Sequence, residues 1–346
     1  MTLRDEIHEQ PDALARLIDR AASFGNIAAR LATDELDHVL VAARGTSDHA
    51  AIYAQYLFGI HLGMPVGLAT PSVLSVYGAE LRLARTLVIG ISQSGASPDI
   101  VGVLDEGRRR GVPTIAITND AASPLAAAAD EVIDLGVGPE RAVAATKTYT
   151  AELAALALLV AAIRDPSDPL RADPALHDVP AAVAAALETE TAIAAAAAEL
   201  ATAPACVVVG RGYEYATARE WALKLKELAH VVADPYSAAD FRHGPVALVD
   251  EGFPVLAVAP SGRPAADMEA LLRRVRDELG ASLLVLSDVQ AMRDMGTSGV
   301  PLPPLAEHLM PMASIVCGQL HALHATLARN HDPDHPRHIA KVTRTA

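Results

Sequence analysis

The chain has 346 residues, of which 51% are apolar but only 3% aromatic, and a formal net charge of −14. That length can bury a large core and suits two domains, while the negative charge argues against a nucleic-acid backbone as partner. The charged N-terminus predicts no signal segment, and the longest apolar stretch, 153–163, lies between Glu152 and Arg164 and is too short to cross a bilayer. The two cysteines, Cys206 and Cys317, fall in a strand-like and a helical run. They read as core residues of a protein from a reducing, cytoplasmic compartment and not as a metal pair.

In chain order, a helix is expected over 12–33. The apolar run at 39–43 follows and opens onto Gly45-Thr46-Ser47-Asp48. A second apolar run, 86–91, opens onto Ser92-Gln93-Ser94-Gly95-Ala96-Ser97, and Asp99 onwards begins a helix. Small hydroxyl residues and glycine between a strand and a helix N-terminus make a place for an anion, because first-turn N–H groups and hydroxyls donate toward it. The loop holds no Lys and lacks the Walker pattern, so a small phosphorylated metabolite fits better than a nucleoside triphosphate. Hydroxyls in such loops can instead serve only as helix caps, but two hydroxyl-rich loops on adjacent elements favour a ligand.

A third strand is expected at 113–118. Residues 165–180, with four Asp and four Pro, read as a linker before an alanine-rich helix near 183–201. The chain then repeats itself loosely. Gly45 corresponds to Gly212 and Val88 to Val255, both 167 residues on, and the run 113–120 pairs with 281–288 at 168. A preserved offset across three strands predicts two similar α/β domains, each a parallel sheet flanked by helices. The strand runs are apolar throughout, as buried central parallel strands require. Ligands in such sheets sit beyond the C-terminal strand ends. In the second repeat the equivalent loops read Gly212-Tyr213-Glu214-Tyr215 and Ala259-Pro260-Ser261-Gly262, so the phosphate cradle belongs to the first. The expected segments are 1–34 helical, 35–165 domain one, 166–199 linker and helix, 200–330 domain two, and 331–346 a C-terminal tail.

Glu220, Lys224 and Glu227 recur at +4 and +3 and are expected on one helical face. Beyond them, Asp240-Phe241-Arg242-His243-Gly244-Pro245 places His243 on a loop, where a histidine is poised for proton transfer. A carboxylate one turn from a Lys can move a proton between adjacent carbons of a sugar.

With these motifs the chain resembles the isomerase half of glutamine–fructose-6-phosphate amidotransferase (glucosamine-6-phosphate synthase), built from two sugar isomerase (SIS) domains. The resemblance runs from Glu9-Gln10-Pro11 through Gly45-Thr46-Ser47, Ser92-Gln93-Ser94-Gly95, Ala144-Ala145-Thr146-Lys147-Thr148-Tyr149-Thr150, Leu223-Lys224-Leu225-Lys226-Glu227 and His243-Gly244-Pro245. It ends in the tail Asp334-His335-Pro336-Arg337-His338-Ile339-Ala340-Lys341-Val342-Thr343. It implies that Ser92, Gln93, Ser94 and Ser97, with Thr46 and Ser47 beside them, hold the sugar phosphate. It also implies that the chain touches the sugar near Val143, Ala145 and Ala340. Ala145 stands where the family has Ser, Ser97 where it has Thr, and Ala96 where it has Glu. Glu227 is the implied base between C1 and C2, Lys224 tunes it, and Glu220 supports it. His243 matches the ring-opening histidine that the neighbouring subunit supplies in a homodimer with a shared active site. Lys341 matches a lysine able to form a Schiff base with the open-chain sugar.

The synthase's glutaminase domain, with its N-terminal nucleophilic Cys, has no counterpart in a chain opening Met1-Thr2-Leu3-Arg4. The expectation is therefore an isomerising glucosamine-6-phosphate deaminase that gives fructose 6-phosphate and ammonia. A deglycase of 6-phosphorylated Amadori compounds, an aminotransferase fed by a partner, and a non-catalytic phosphosugar sensor are the alternatives. No metal or organic cofactor is expected: His321 and His324, three apart on a helix, lack an acidic or Cys partner at short spacing.

Overall fold

A computed structural model describes residues 2–31 and 33–341. The chain forms two compact units. One comprises residues 12–140, 147–177 and the tail from 340; the other comprises residues up to 11, 141–146 and 178–339.

The first unit is built on five parallel strands: β1 (His38–Ala42), β2 (Val66–Leu68), β3 (Thr86–Ile91), β4 (Thr114–Thr118) and β5 (Glu131–Asp134). Their order is β2-β1-β3-β4-β5. The second has β6 (Ala205–Gly210), β7 (Val232–Ser237), β8 (Pro254–Val258), β9 (Ser282–Ser287) and β10 (Ser298–Pro301), in the order β7-β6-β8-β9-β10. Counted within its own unit, each sheet therefore reads 2-1-3-4-5, a doubly wound order that reverses between its first and third strands. Central strands β3 and β4 are buried at every residue, which is why their sequences do not alternate.

The duplication extends to strand pairing. Val41 faces Ile89 across β1 and β3, and Val208 faces Leu256 across β6 and β8, each residue 167 on from its counterpart. The next strand departs by one residue from the expected offset. Ile115 pairs with Ile89 as Leu284 pairs with Leu256, an offset of 169, not 168. A one-residue slip matters in a strand because it exchanges the two faces.

An ion pair repeats as well. Arg44 Nε lies 2.9 Å from Asp99 Oδ2 in the first unit, and Arg211 Nε lies 3.4 Å from Asp267 Oδ2 in the second. Each arginine follows the first strand of its sheet and each aspartate begins the helix after the third.

Two expected helices are broken. The segment expected as one helix over 12–33 forms Gln10–Ile18 and Ala21–Ala28. The alanine-rich segment forms Val179–Leu187 and Glu190–Ala197, followed by a 3₁₀ turn. At the second break Thr189 Oγ1 donates to the Ala186 carbonyl at 2.7 Å, a local bond that competes with helix continuation. The expected linker contains short helical turns at Pro169–Ala172 and Pro174–Asp178. Each unit has a long, almost wholly buried helix, Lys147–Arg164 in the first and Met310–Ala328 in the second. No single described helix is long and apolar enough to cross a membrane.

Candidate active site

In the first unit, the two hydroxyl-rich loops leave the C-terminal ends of β1 and β3, the strands that flank the switch point. Gly45 turns the first loop with φ 54° and leads into helix Thr46–Leu62. Gly95 turns the second with φ 58°, where a Cβ would stand 2.1 Å from Ser123 Oγ, so backbone conformation and space both demand glycine. Ser92 Oγ accepts the Gly95 N–H (3.2 Å) and Ser94 Oγ accepts the Ala96 N–H (3.3 Å). Each serine oxygen thus shapes the loop while its own proton can be donated elsewhere. The Gln93 carbonyl accepts from Thr118 Oγ1 at 3.3 Å and from the Asn119 N–H at 3.1 Å, pinning the loop to β4.

Helix capping does not account for these hydroxyls. The N-cap of helix Thr46–Leu62 is Gly45, and Ser97, N-cap of helix Pro98–Arg109, makes no side-chain cap bond. Ser92 is buried, and Thr46, Gln93, Ser94 and Ser97 are half-buried. Ser47 departs from expectation: its hydroxyl points inward and donates to the buried Glu152 Oε1 at 2.7 Å. Sequence reasoning also passed over Arg44, whose half-exposed guanidinium is held beside the first loop by the buried Asp99. The shared offset of the two Arg–Asp pairs was the signal that could have found it.

Lys341 belongs to the same unit. Its Nζ donates to Glu140 Oε2 at 2.9 Å. Glu140 is buried and also accepts the Thr148 N–H (3.1 Å) and Thr148 Oγ1–H (2.8 Å). Glu140 was not foreseen; it fixes Lys341 against the start of the long buried helix. Ala340 is exposed, while Val342 and Thr343 of the tail motif lie outside the described residues.

In the second unit, helix Glu214–Lys224 passes into a single π-helical turn, Leu225–Ala229. Glu227 therefore sits in a π turn and not on the continuous α-helical face expected. Such turns insert a residue into the helical ladder and recur at functional sites. Lys224, 1% exposed, sends Nζ to Glu227 Oε2 at 2.5 Å, with Glu220 Oε1 3.4 Å away. Glu220 is fully buried, whereas Glu227 is 24% exposed and reaches solvent. Burial works against the Lys224 charge, but the carboxylates of Glu220 and Glu227 outweigh it and hold the pKa above the usual lysine value. The array is a buried cation fixing an accessible carboxylate.

His243 is exposed at the C-terminal end of the short helix Ala238–Arg242, its N–H donating to the Asp240 carbonyl at 3.0 Å. Val143 and Ala145, both half-buried, lie on a segment anchored by the buried Glu6, which accepts the Arg141 N–H (2.5 Å) and the Ala142 N–H (3.2 Å). Gln10, within the motif that opens the resemblance, donates to Gln319 (2.8 Å), which in turn donates to the Thr146 carbonyl (3.3 Å).

His321 and His324 face different partners. His321 accepts from Trp221 Nε1 at 3.2 Å, with its pKa pushed down to about 3 by burial, while His324 is 3.0 Å from Glu190. The hydroxyl loops and Lys341 thus fall in one unit. Glu220, Lys224, Glu227, His243, Val143 and Ala145 fall in the other.

The SIS domain pattern matches residues 34–162 and 199–327, most of the chain. The chain belongs to the SIS domain family. This SIS protein is 33% identical over 342 residues to glutamine–fructose-6-phosphate aminotransferase (isomerizing) of Pyrococcus horikoshii; the match covers 97% of the chain and 56% of that relative. The chain therefore spans little more than half the length of the curated relative. Among solved structures, the C-terminal domain of glucosamine-fructose-6-phosphate aminotransferase from Francisella tularensis superposes with a TM-score of 0.86 at 26% identity, covering 96% of this chain and 98% of that one. A candidate phosphosugar isomerase from Silicibacter pomeroyi DSS-3 gives 0.82 at 37% identity, covering 96% of this chain and all of that one. The similarity to the isomerase half of the synthase, expected from the motifs, holds over nearly the whole chain.

Proposed function

We propose that this SIS protein is a phosphosugar isomerase that deaminates, converting glucosamine 6-phosphate and water to fructose 6-phosphate and ammonia. The observation that carries this reading is the buried Lys224 ammonium gripping Glu227, a carboxylate that still reaches solvent. Such a group is positioned and electrostatically supported for one task, taking a proton from carbon and returning it to the neighbouring carbon. In the first unit, the hydroxyls and first-turn N–H groups of the two loops supply donors for a phosphate.

His243 would assist ring opening of the aldose. Glu227 would take the proton from C2 and deliver it to C1, leaving a ketimine at C2. Water adds to that carbon and ammonia leaves, so atoms and charge balance. In a branch of the same reaction, Lys341 Nζ would add to C2 and expel ammonia to form a Schiff base, which water then hydrolyses to fructose 6-phosphate and free Lys341. Burial pushes the thiols of Cys206 and Cys317 up to about 12, so neither takes part as a thiolate. A homodimer in which His243 serves the neighbouring subunit, and a cytoplasmic setting, complete the proposal.

The test is a panel of 2-amino-2-deoxy aldose 6-phosphates and Amadori 6-phosphates assayed for ammonia and ketose phosphate. Equal release of ammonia and fructose 6-phosphate from glucosamine 6-phosphate is expected. Turnover of only the Amadori compounds would replace the deaminase with a deglycase, and turnover of none would overturn the enzymatic reading.

A further inference from the structure

The two repeats keep one ion pair and surround it differently. Arg44 follows β1 and opens the first hydroxyl loop, and Asp99 begins the helix into which the second hydroxyl loop leads. The contact of Arg44 Nε with Asp99 Oδ2 (2.9 Å) therefore bridges the two loops at the switch point between β1 and β3. The Asp99 side chain is fully buried, and its other oxygen accepts the Ile100 N–H at 3.0 Å. Both carboxylate oxygens are thus engaged by the protein, while the guanidinium they hold remains 50% exposed. Among the described residues Arg44 has no other hydrogen-bond or ion-pair partner, which leaves the Nη1 and Nη2 edge of the fork open to a guest.

In the second unit the same fork is closed. Arg211 turns Nε toward Asp267 (3.4 Å) and donates from Nη1 to the Ser237 hydroxyl (3.2 Å). Asp267 is shared with Arg242, which donates to its carboxylate and to its backbone carbonyl. The offset of 167 holds through this region, since Val39 faces Val66 as Cys206 faces Ala233. Counting back by it from Arg242 gives Ser75, a neutral residue where the second unit has a further cation. Within 44–48 and 92–99 Arg44 is the one cation, beside Asp48 and Asp99. A phosphate monoester brings a charge of about −1.5 to −2 at neutral pH, and hydroxyls and first-turn N–H groups meet it with partial charges alone. A guanidinium adds a full charge and two coplanar N–H groups that match a pair of phosphoryl oxygens.

We propose that Arg44 is a specificity-determining residue of this site, its Nη1 and Nη2 groups binding two phosphoryl oxygens of the substrate, so that the first unit selects phosphorylated sugars by charge as well as by hydroxyl donors. Asp99 holds the fork in place through Nε and leaves the opposite edge to the phosphate. The inference rests on the reading that the hydroxyl loops hold the phosphate.

Isothermal titration of the full chain with inorganic phosphate tests it. Arg44→Met should raise the Kd about 10- to 100-fold, the range expected for hydrogen bonds to a charged group. Arg44→Lys keeps the charge but not the fork and should recover only part of that loss. In steady-state assays of Arg44→Met the KM for glucosamine 6-phosphate should rise by a similar factor with kcat within a few-fold. Because Arg44→Met leaves the buried Asp99 carboxylate unpaired, the double variant Arg44→Met/Asp99→Asn, which removes both charges, decides the matter should the single variant fail to fold. Ser92→Ala/Ser94→Ala is titrated in parallel. The proposal alone is overturned if that serine variant loses phosphate while the folded Arg44→Met form, single or double, binds it like the wild type, or if Arg44→Lys binds it as tightly as the wild type. If the serine and arginine variants all bind like the wild type, or the wild type does not saturate, the hydroxyl-loop reading falls and the inference falls with it.

Discussion

Replacing Lys224 with Met keeps the side chain's length and removes its charge. In the folded unit the ammonium lies 2.5 Å from Glu227 and 3.4 Å from Glu220. Glu227 is partly exposed and can regain water; Glu220 is fully buried and cannot. Breaking a buried ion pair by removing one partner costs about 3–5 kcal/mol, because the remaining charge is left uncompensated. For a unit of this size that amounts to a fall in Tm of roughly 6–20 °C. The double variant Glu220→Gln/Lys224→Met carries no orphaned charge in the interior and should recover most of the loss. The pH dependence follows from the raised Lys224 pKa. The folded state holds this proton more tightly than the unfolded chain does. The stabilisation is therefore fully present below the ordinary lysine value of about 10.4 and is lost as pH climbs through the higher folded value. Melts followed by circular dichroism from neutral to alkaline pH should show this loss in the wild type and not in Lys224→Met. A single variant melting within about 1 kcal/mol of the wild type, or a double variant no more stable than the single, would refute the reasoning.

Four further outcomes are expected. Glu227→Gln should leave KM within a few-fold and lower kcat about 10²- to 10⁴-fold, the usual worth of a positioned base; steady-state ammonia release and deuterium exchange into the sugar measure it, and near-normal kcat would move the role to another group. Ser92→Ala with Ser94→Ala should raise KM by about tenfold or more per hydroxyl, since a hydrogen bond to a charged group is worth about 1.5–3 kcal/mol, with the melting curve little changed; unchanged affinity sinks the cradle. Mixing a Ser92→Ala/Ser94→Ala subunit with a His243→Ala subunit should restore part of the activity, and no recovery after verified subunit exchange contradicts a site shared between subunits. For Glu214, whose carboxyl is raised from 4.5 to about 7, the folded state binds the proton more tightly. Stability is highest below the usual carboxylate pKa and falls by about 3 kcal/mol as pH rises through 7; a chemical-denaturation series against Glu214→Gln should show this slope only in the wild type.

The strands and their duplication were legible because central parallel strands bury both faces, which leaves runs such as Thr86–Ile91 apolar at nearly every position. The hydroxyl loops were legible for the same reason: they begin where the apolar run stops. The third strand was misplaced by one residue because apolar runs such as 281–286 match their counterparts almost equally well at neighbouring offsets, and only the hydrogen-bonded register decides. The helix breaks at Asp19–Arg20 and Glu188–Thr189 carry no Gly or Pro, and alanine-rich flanks favour helix on either side, so nothing in local composition marks them. The π turn at Leu225–Ala229 is hidden likewise, since Leu-Lys-Glu-Leu-Ala is good α-helical sequence.

Contacts that set the chemistry were harder to read than the fold because they join residues far apart in the chain. Glu140 and Lys341 are 201 residues apart, and no periodicity relates them. The Arg–Asp pairs are different: two copies of one contact related by nearly the same offset, so the duplication itself encoded the pairing. The serine–carboxyl contact shows where that logic stops. Ser47 with Glu152 and Ser314 with Glu214 each join a strand-end turn to a long buried helix, but the donor and acceptor have changed sides. A search for matching residues passes over such an exchange because neither position matches its counterpart. Yet the exchange keeps the packing of turn against helix while replacing a donor with an acceptor at the strand end. A duplicated fold can in this way keep one architecture while exchanging hydrogen-bond donor for acceptor at the end of a strand.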